Sequence, residues 1–273
     1  MFVNNSHIKL WRSKLRLKSE TTQDYYFAIT DKFLKYSKGD LSTEKVINFL
    51  NDTSKNSINT VFYVLRFFYQ AAGIPFELTI GDISGRSGVK RTKEVLSPEE
   101  IEALIKTVKL EYGLIEIGFI FLFTIYGCRR REAWQMNSED INEDISTLTI
   151  YTLKGGDQRT HLVPDCGKEI IKDFRYALSK VKKKPAVNTL NFWFDELCSR
   201  AKITLRPRLG PHSIRRSLIS ELMMGDTNPT IIRSFCRWKP RQSDILLDYT
   251  ILQPARIDRI ILDDKVHPFL RFW

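Results

Sequence analysis

The residues best suited to chemistry lie between Gly210 and Thr250, in the stretch GPHSIRRSLISELMMGDTNPTIIRSFCRWKPRQSDILLDYT. His212 and Arg215 are three residues apart, so on a helix an imidazole and a guanidinium share a face. Trp238 follows, and Tyr249 comes after the apolar Ile245, Leu246 and Leu247. Between Cys198 and Arg241 there are ten Lys and Arg against two Asp and Glu. Such a cluster grips a phosphate and offers it a nucleophile. Taken alone the signal is weak: H-x-x-R arises by chance in many helices, and a tyrosine on an apolar segment is ordinarily half-buried core.

Upstream residues add to it. The apolar run Leu114–Tyr126 delivers Tyr126-Gly127-Cys128-Arg129-Arg130-Arg131-Glu132. Arginines beside a core are paired or hold an anion, and Glu132, three residues after Arg129, is spaced to orient a basic side chain. Lys154 opens the turn Lys154-Gly155-Gly156-Asp157, where a lysine is either merely solvated or reaches a bound anion. Arg206 and Arg208 lead into the His212 segment.

Composition sets the class of partner. The chain has 273 residues and a net charge of +11, with a pI of about 9.4, which favours a polyanion or an anionic surface. The four cysteines (Cys128, Cys166, Cys198 and Cys236) are far apart and form no C-x-x-C or Cys/His cluster. Neither a zinc site nor a disulfide framework is expected, and a reducing intracellular setting fits. The N-terminal stretch lacks the apolar core of a signal peptide, and Leu114–Tyr126 falls short of the roughly 18 residues that span a bilayer.

Several elements must position these side chains. Residues 1–75 read as a helical bundle with eleven basic and six acidic residues. Its first 18 residues, carrying Lys9, Arg12, Lys14 and Arg16, form a flexible arm or a first helix. A second helix covers Thr22–Tyr36, a third starts at Ser42 or Thr43, and a fourth starts near Ser57 and stops at Gly73 and Pro75. Residues 76–95, with Gly81, Gly85, Gly88 and the basic Lys90, Arg91 and Lys93, read as a linker. A second domain over 96–273 opens with Ser97 as N-cap and Pro98 in the first helical turn. It continues through the buried helix 114–126, a β-hairpin in which Leu148 and Ile150 alternate with Thr147 and Thr149, and helices over 168–182 and 188–201. The fold class is mainly α with a small antiparallel sheet.

In that order the chain resembles the tyrosine recombinases of the phage-integrase family. The matching features are G-x-R-x-x-E at Gly127–Glu132, a lysine on a hairpin turn at Lys154, H-x-x-R at His212–Arg215, a His-or-Trp position at Trp238, and a closing Tyr249. The motifs cover residues 96–250, whereas residues 6–75 match the family's core-binding domain only in pattern. Two departures point to a divergent mobile-element or viral integrase. Cys236-Arg237-Trp238 stands where the family writes L-G-H/W, and the spacing from Trp238 to Tyr249 is about two residues longer than usual.

The resemblance implies a site-specific recombinase acting on double-stranded DNA. Tyr249 would be the nucleophile that forms a 3′-phosphotyrosyl bond. Arg129 and Arg215 would hold the phosphate, Lys154 would be the general acid, and His212 would accept a proton or bond the phosphate. Trp238 would pack on the site and Glu132 would support it. It implies no metal and no ATP. It also implies a C-shaped clamp whose DNA contacts include Lys9, Arg12, Lys14, Arg16, Arg91, Arg206 and Arg208, a homotetramer at synapsis, a monomer or dimer off DNA, and accessory proteins in some settings. Rival readings are a type IB topoisomerase, a telomere resolvase, and a DNA-binding protein of integrase descent that no longer cleaves. The apolar end of the chain, from Ile257 to Trp273, docks either on its own domain or on a neighbouring protomer.

Overall fold

The computed structural model describes residues 1–54, 57–84, 94–152, 158–181, 184, 186–238 and 253–273. The chain divides into two compact units, Met1–Arg91 and Thr92–Trp273.

The first unit is helical: α1 (Asn5–Leu15), α2 (Glu20–Ser37), α3 (Thr43–Asn51), α4 (Ile58–Ala72) and the short α5 (Ile80–Ser84). The basic N-terminal stretch is therefore a helix, capped by the Asn4 side chain. It buries Trp11 and Leu15 and leaves Lys9, Arg12, Lys14 and Arg16 exposed. The recurrence of Val61, Phe62, Leu65, Phe68 and Tyr69 along α4 supplies the centre of the core. Gly73 closes α4 at φ 74°, a left-handed conformation natural to glycine. Within the stretch read as a linker, Phe76, Leu78 and Ile83 pack against this same core.

The second unit holds α6 (Pro98–Glu111), α7 (Leu114–Ile125), α8 (Arg130–Gln135), strands β1 (Thr147–Ile150) and β2 (Arg159–Leu162), α9 (Lys168–Lys180), α10 (Thr189–Arg200), α11 (Pro211–Met224), α12 (Pro229–Phe235) and α13 (Pro254–Ile261). At the start of α6, the Ser97 hydroxyl accepts the Glu100 N–H at 3.2 Å and the Glu100 carboxylate accepts the Ser97 N–H at 2.9 Å. α7 is the central helix and is buried from Gly118 to Ile125, which is why that part of its sequence is apolar all round. Its Gly118 lets α9 come close: a Cβ there would lie 2.1 Å from Phe174 Cδ2. Among the described residues no helix is long and apolar enough to cross a membrane.

The two strands pair antiparallel, with Leu148 opposite His161 and Ile150 opposite Arg159. Side chains alternate along a strand, so Arg159 and His161 point to the buried side together with Leu148 and Ile150. Both are nearly inaccessible. The turn carrying Lys154 lies outside the described residues.

The end of the chain docks on its own unit. Ile257, Ile261, Phe269 and Leu270 belong to the same core as α7. Trp273 Nε1 donates to Thr124 Oγ1 at 3.1 Å, and Lys109 Nζ donates to the carbonyl oxygens of Phe272 and Trp273.

Candidate active site

Chain reversal after α7 begins the site. Gly127 has φ 54°, and a Cβ there would lie 3.2 Å from Leu218. Glycine meets both demands, and the turn carries the backbone into Arg129, the N-cap of α8. The Glu132 carboxylate reaches back to Arg129. Its Oε2 accepts the Arg129 N–H at 2.8 Å, and its Oε1 bonds Arg129 Nη1 at close range. The expectation that Glu132 orients a basic side chain thus has a specific geometry, with Arg129 partly exposed at the wall of a cavity.

α11 supplies the facing side. His212 and Arg215 both line a cavity of about 680 Å³, together with Arg129, Arg208, Arg216 and Trp238. Arg215 is 1% exposed. Its Nη1 donates to the Gly127 carbonyl and its Nη2 donates to the Cys236 carbonyl at 2.7 Å. Its guanidinium lies 5.7 Å from the centre of the Trp238 ring, a cation–π arrangement. Trp238 thus meets the site through its ring face. Among the described residues Arg215 hydrogen-bonds no carboxylate. A buried cation with no carboxylate bonded to it among the described residues is costly, and beside an open cavity that cost favours an incoming anion.

The site is electropositive enough to alter its imidazole. Desolvation in the cavity comes first, then the charges of Arg215, Arg216 and Arg129, and together they lower the His212 pKa to about 4. The residue as a whole is nevertheless exposed. His212 is therefore neutral at physiological pH. Burial would raise the pKa of Glu132, but Arg237 and the Arg129 N–H and guanidinium override it, and the carboxyl stays below its usual range. Burial, helped by Glu132 and Cys236, pushes the Cys128 thiol up to about 12 against the pull of Arg237 and Arg215, so Cys128 is no reactive thiol.

Four buried polar residues, Arg237, His161, Asp258 and Arg159, were given no role by the sequence. Arg237 Nη2 donates to Glu132 Oε2 at 3.0 Å, and its Nη1 lies 2.9 Å from His161 Nε2. On the other side of the ring, His161 Nδ1 lies 3.1 Å from Asp258 Oδ1. Asp258 also accepts from Arg159 Nη2 at 2.8 Å and from the Leu162 N–H at 2.8 Å. The one available signal was a buried-looking Asp in the apolar face Ile257–Ile261 of α13.

The remaining expected residues are distributed as follows. Arg208 lines the cavity. Arg206 is engaged elsewhere, paired with Glu100 at 2.9 Å and Glu94 at 3.6 Å. Lys9, Arg12, Lys14 and Arg16 lie on or at the end of α1 in the first unit. Lys154, Tyr249 and Arg91 lie outside the described residues. Among the described residues no three His, Cys, Asp or Glu side chains gather to hold a metal ion.

No protein-family model matches the chain, and no curated protein sequence matches it. Solved structures do match, and they define the class: the chain has the fold of the tyrosine recombinases and integrases. Lambda integrase bound to DNA superposes with a TM-score of 0.67 at 14% identity, over 95% of this chain and 96% of that one. A lambda integrase tetramer bound to a Holliday junction gives 0.65 at 12% identity, over 89% of this chain and 79% of that one. The XerH site-specific recombinase on a palindromic difH substrate gives 0.63 at 16% identity, over 78% of this chain and 72% of that one.

Proposed function

We propose that this protein is a site-specific DNA recombinase that breaks and rejoins strands through a 3′-phosphotyrosyl intermediate. The observation that carries the reading is Arg215, a buried guanidinium bonded to two carbonyls and facing a cavity it shares with Arg129 and His212. The fold likeness to DNA-bound recombinases supports it, as does the position of Tyr249 after Trp238 in the sequence.

In this reading the phosphodiester enters the cavity, and Arg129 and Arg215 bond its non-bridging oxygens. The phenolic oxygen of Tyr249 attacks phosphorus, the bond from phosphorus to the 5′-oxygen breaks, and Lys154 protonates the departing oxygen. The two guanidiniums stabilise the charge that develops on the pentacoordinate phosphorus. A hydroxyl from a partner strand later reverses the step and releases the tyrosine. With a pKa of about 4, His212 is a poor base for a phenol whose pKa is near 10. Its role is to donate a hydrogen bond to a phosphate oxygen, and the phosphate's charge in turn raises the imidazole's pKa. Glu132 holds Arg129 in place. The basic face of α1 and Arg208 supply phosphate contacts, which are salt-sensitive. Arg206, already paired with two carboxylates, contributes least of the residues named. Synapsis of two sites calls for a tetramer.

The test uses nicked suicide DNA carrying candidate attachment sites, with Tyr249→Phe run beside the parent. A denaturant-resistant protein–DNA band in the parent that is absent from Tyr249→Phe is the expected result. A band that persists in Tyr249→Phe assigns the nucleophile elsewhere. Tight DNA binding by both without a band points to a DNA-binding protein that does not cleave. Relaxation of supercoiled DNA without joining of two sites points to a topoisomerase.

A further inference from the structure

Arg237 is the least expected of the buried charges. It is fully buried at φ 58°, a backbone conformation that side-chain-bearing residues rarely adopt. What its guanidinium reaches explains why it is held there. On one side it shares the Glu132 carboxylate: Oε2 accepts from Arg237 Nη2 and from the Arg129 N–H, which leaves Oε1 to Arg129 Nη1. Two guanidiniums thus divide one negative charge, and Arg129 keeps positive charge for the cavity. On the other side Arg237 can only donate, so His161 Nε2 is the acceptor and the ring proton sits on Nδ1, donating to Asp258 Oδ1. Asp258 holds Arg159, whose Nη2 also donates to the Pro254 carbonyl at 3.1 Å. The network therefore binds the chain on both sides of residues 239–252, at Arg237 before them and at Pro254 and Asp258 after them.

We propose that Arg237 is a positioning residue. Through Glu132 it sets the orientation and free charge of Arg129, and through His161 and Asp258 it fixes the two ends of the segment that includes Tyr249. The second half rests on the recombinase reading, whereas the first stands on the anion site alone.

The two halves have separate readouts. Affinity of the cavity for inorganic phosphate, measured by calorimetry, reports Arg129, and the rate of covalent adduct formation on suicide DNA reports the chemistry. Arg237→Met removes the donors at nearly constant length and leaves Glu132 to draw on Arg129 alone. Its phosphate affinity is expected to fall by about tenfold or more, the worth of one charge-assisted bond. Adding Glu132→Gln removes the charge that draws on Arg129 but keeps a side-chain oxygen to hold it, so the double variant recovers most of that loss. A purely structural role predicts additive losses instead. Additive losses, parental phosphate affinity in Arg237→Met, or no phosphate binding by the parent each overturn the proposal. If the methionine variant does not fold by circular dichroism, Arg237→Lys replaces it, with the charge kept but the fork to Glu132 and His161 lost. Parental affinity and parental adduct rate in Arg237→Lys overturn the proposal. An adduct formed at the parental rate by Arg237→Met removes the positioning role and leaves the recombinase reading standing. No adduct from any variant, with phosphate affinity still dependent on Arg237, removes the recombinase reading and leaves the role at Arg129.

Discussion

A guanidinium shielded from solvent ordinarily sits against a carboxylate. Arg215 sits against two carbonyls and the face of Trp238, so its charge is directed at the cavity. We expect Arg215→Ala to slow adduct formation on suicide DNA by about 10²–10³-fold, the usual cost of one donor aimed at developing charge. Arg215→Lys does not restore it, because one ammonium cannot span the Gly127 and Cys236 oxygens and also face a phosphate. A lysine variant at the parental rate would show that Arg215 is not a phosphate ligand. The pairing of His212 with Arg215 was readable because both lie on one helix face. Arg237, His161 and Asp258 were not. Their contacts join residues 76, 97 and 105 positions apart, and no local spacing encodes such a meeting.

The helices were the most legible elements. Periodic apolar positions in α4, the Ser97 cap of α6 and the all-apolar α7 each express a local rule. The close approach of α7 to α9 expresses none, since it depends on Phe174 filling the space over Gly118. Gly118→Ala is expected to destabilise the protein by about 1–3 kcal/mol through overpacking, despite alanine's better helix propensity. Urea unfolding followed by circular dichroism measures it, and a stabilised variant would mean that the two helices part freely. The end of the chain belongs to the same lesson. Its apolar residues suited docking in cis or in trans equally, and in the single chain Trp273 donates a hydrogen bond to Thr124 of its own unit.

For the whole molecule, the buried histidines set the response to acid. Burial lowers the pKa of His161 and of His267 to about 4. Both rings use one nitrogen as donor and the other as acceptor. His161 lies between Asp258 and Arg237, while His267 donates to the Ile125 carbonyl and accepts the Phe269 N–H. Their folded pKa lies below the unfolded value near 6.5, so the unfolded chain takes up the protons first. Their stabilising share is fully present above about pH 6.5 and is lost as pH falls toward 4, by roughly 3 kcal/mol for each ring. Glu132 and Asp258, whose folded pKa values are also lowered, extend the loss to lower pH. Urea midpoints measured between pH 7 and pH 4 should fall steadily, and His267→Asn should flatten part of that slope. A midpoint constant over this range would mean that the rings are protonated in the folded state.

The amino-acid sequence by itself determined the helices, the two-part division of composition, the positive charge and the order of Arg129, Lys154, His212, Arg215, Trp238 and Tyr249. Each of these depends on neighbours within a turn or two, or on order along the chain. Tertiary structure decided which charges are spent and which are free. It placed Arg206 on Glu94 and Glu100, turned Trp238 face-on to Arg215, and set Arg237 between Glu132 and His161. The energy of a charge is fixed by burial and by partners brought from distant parts of the chain, and those appear only when the chain has folded.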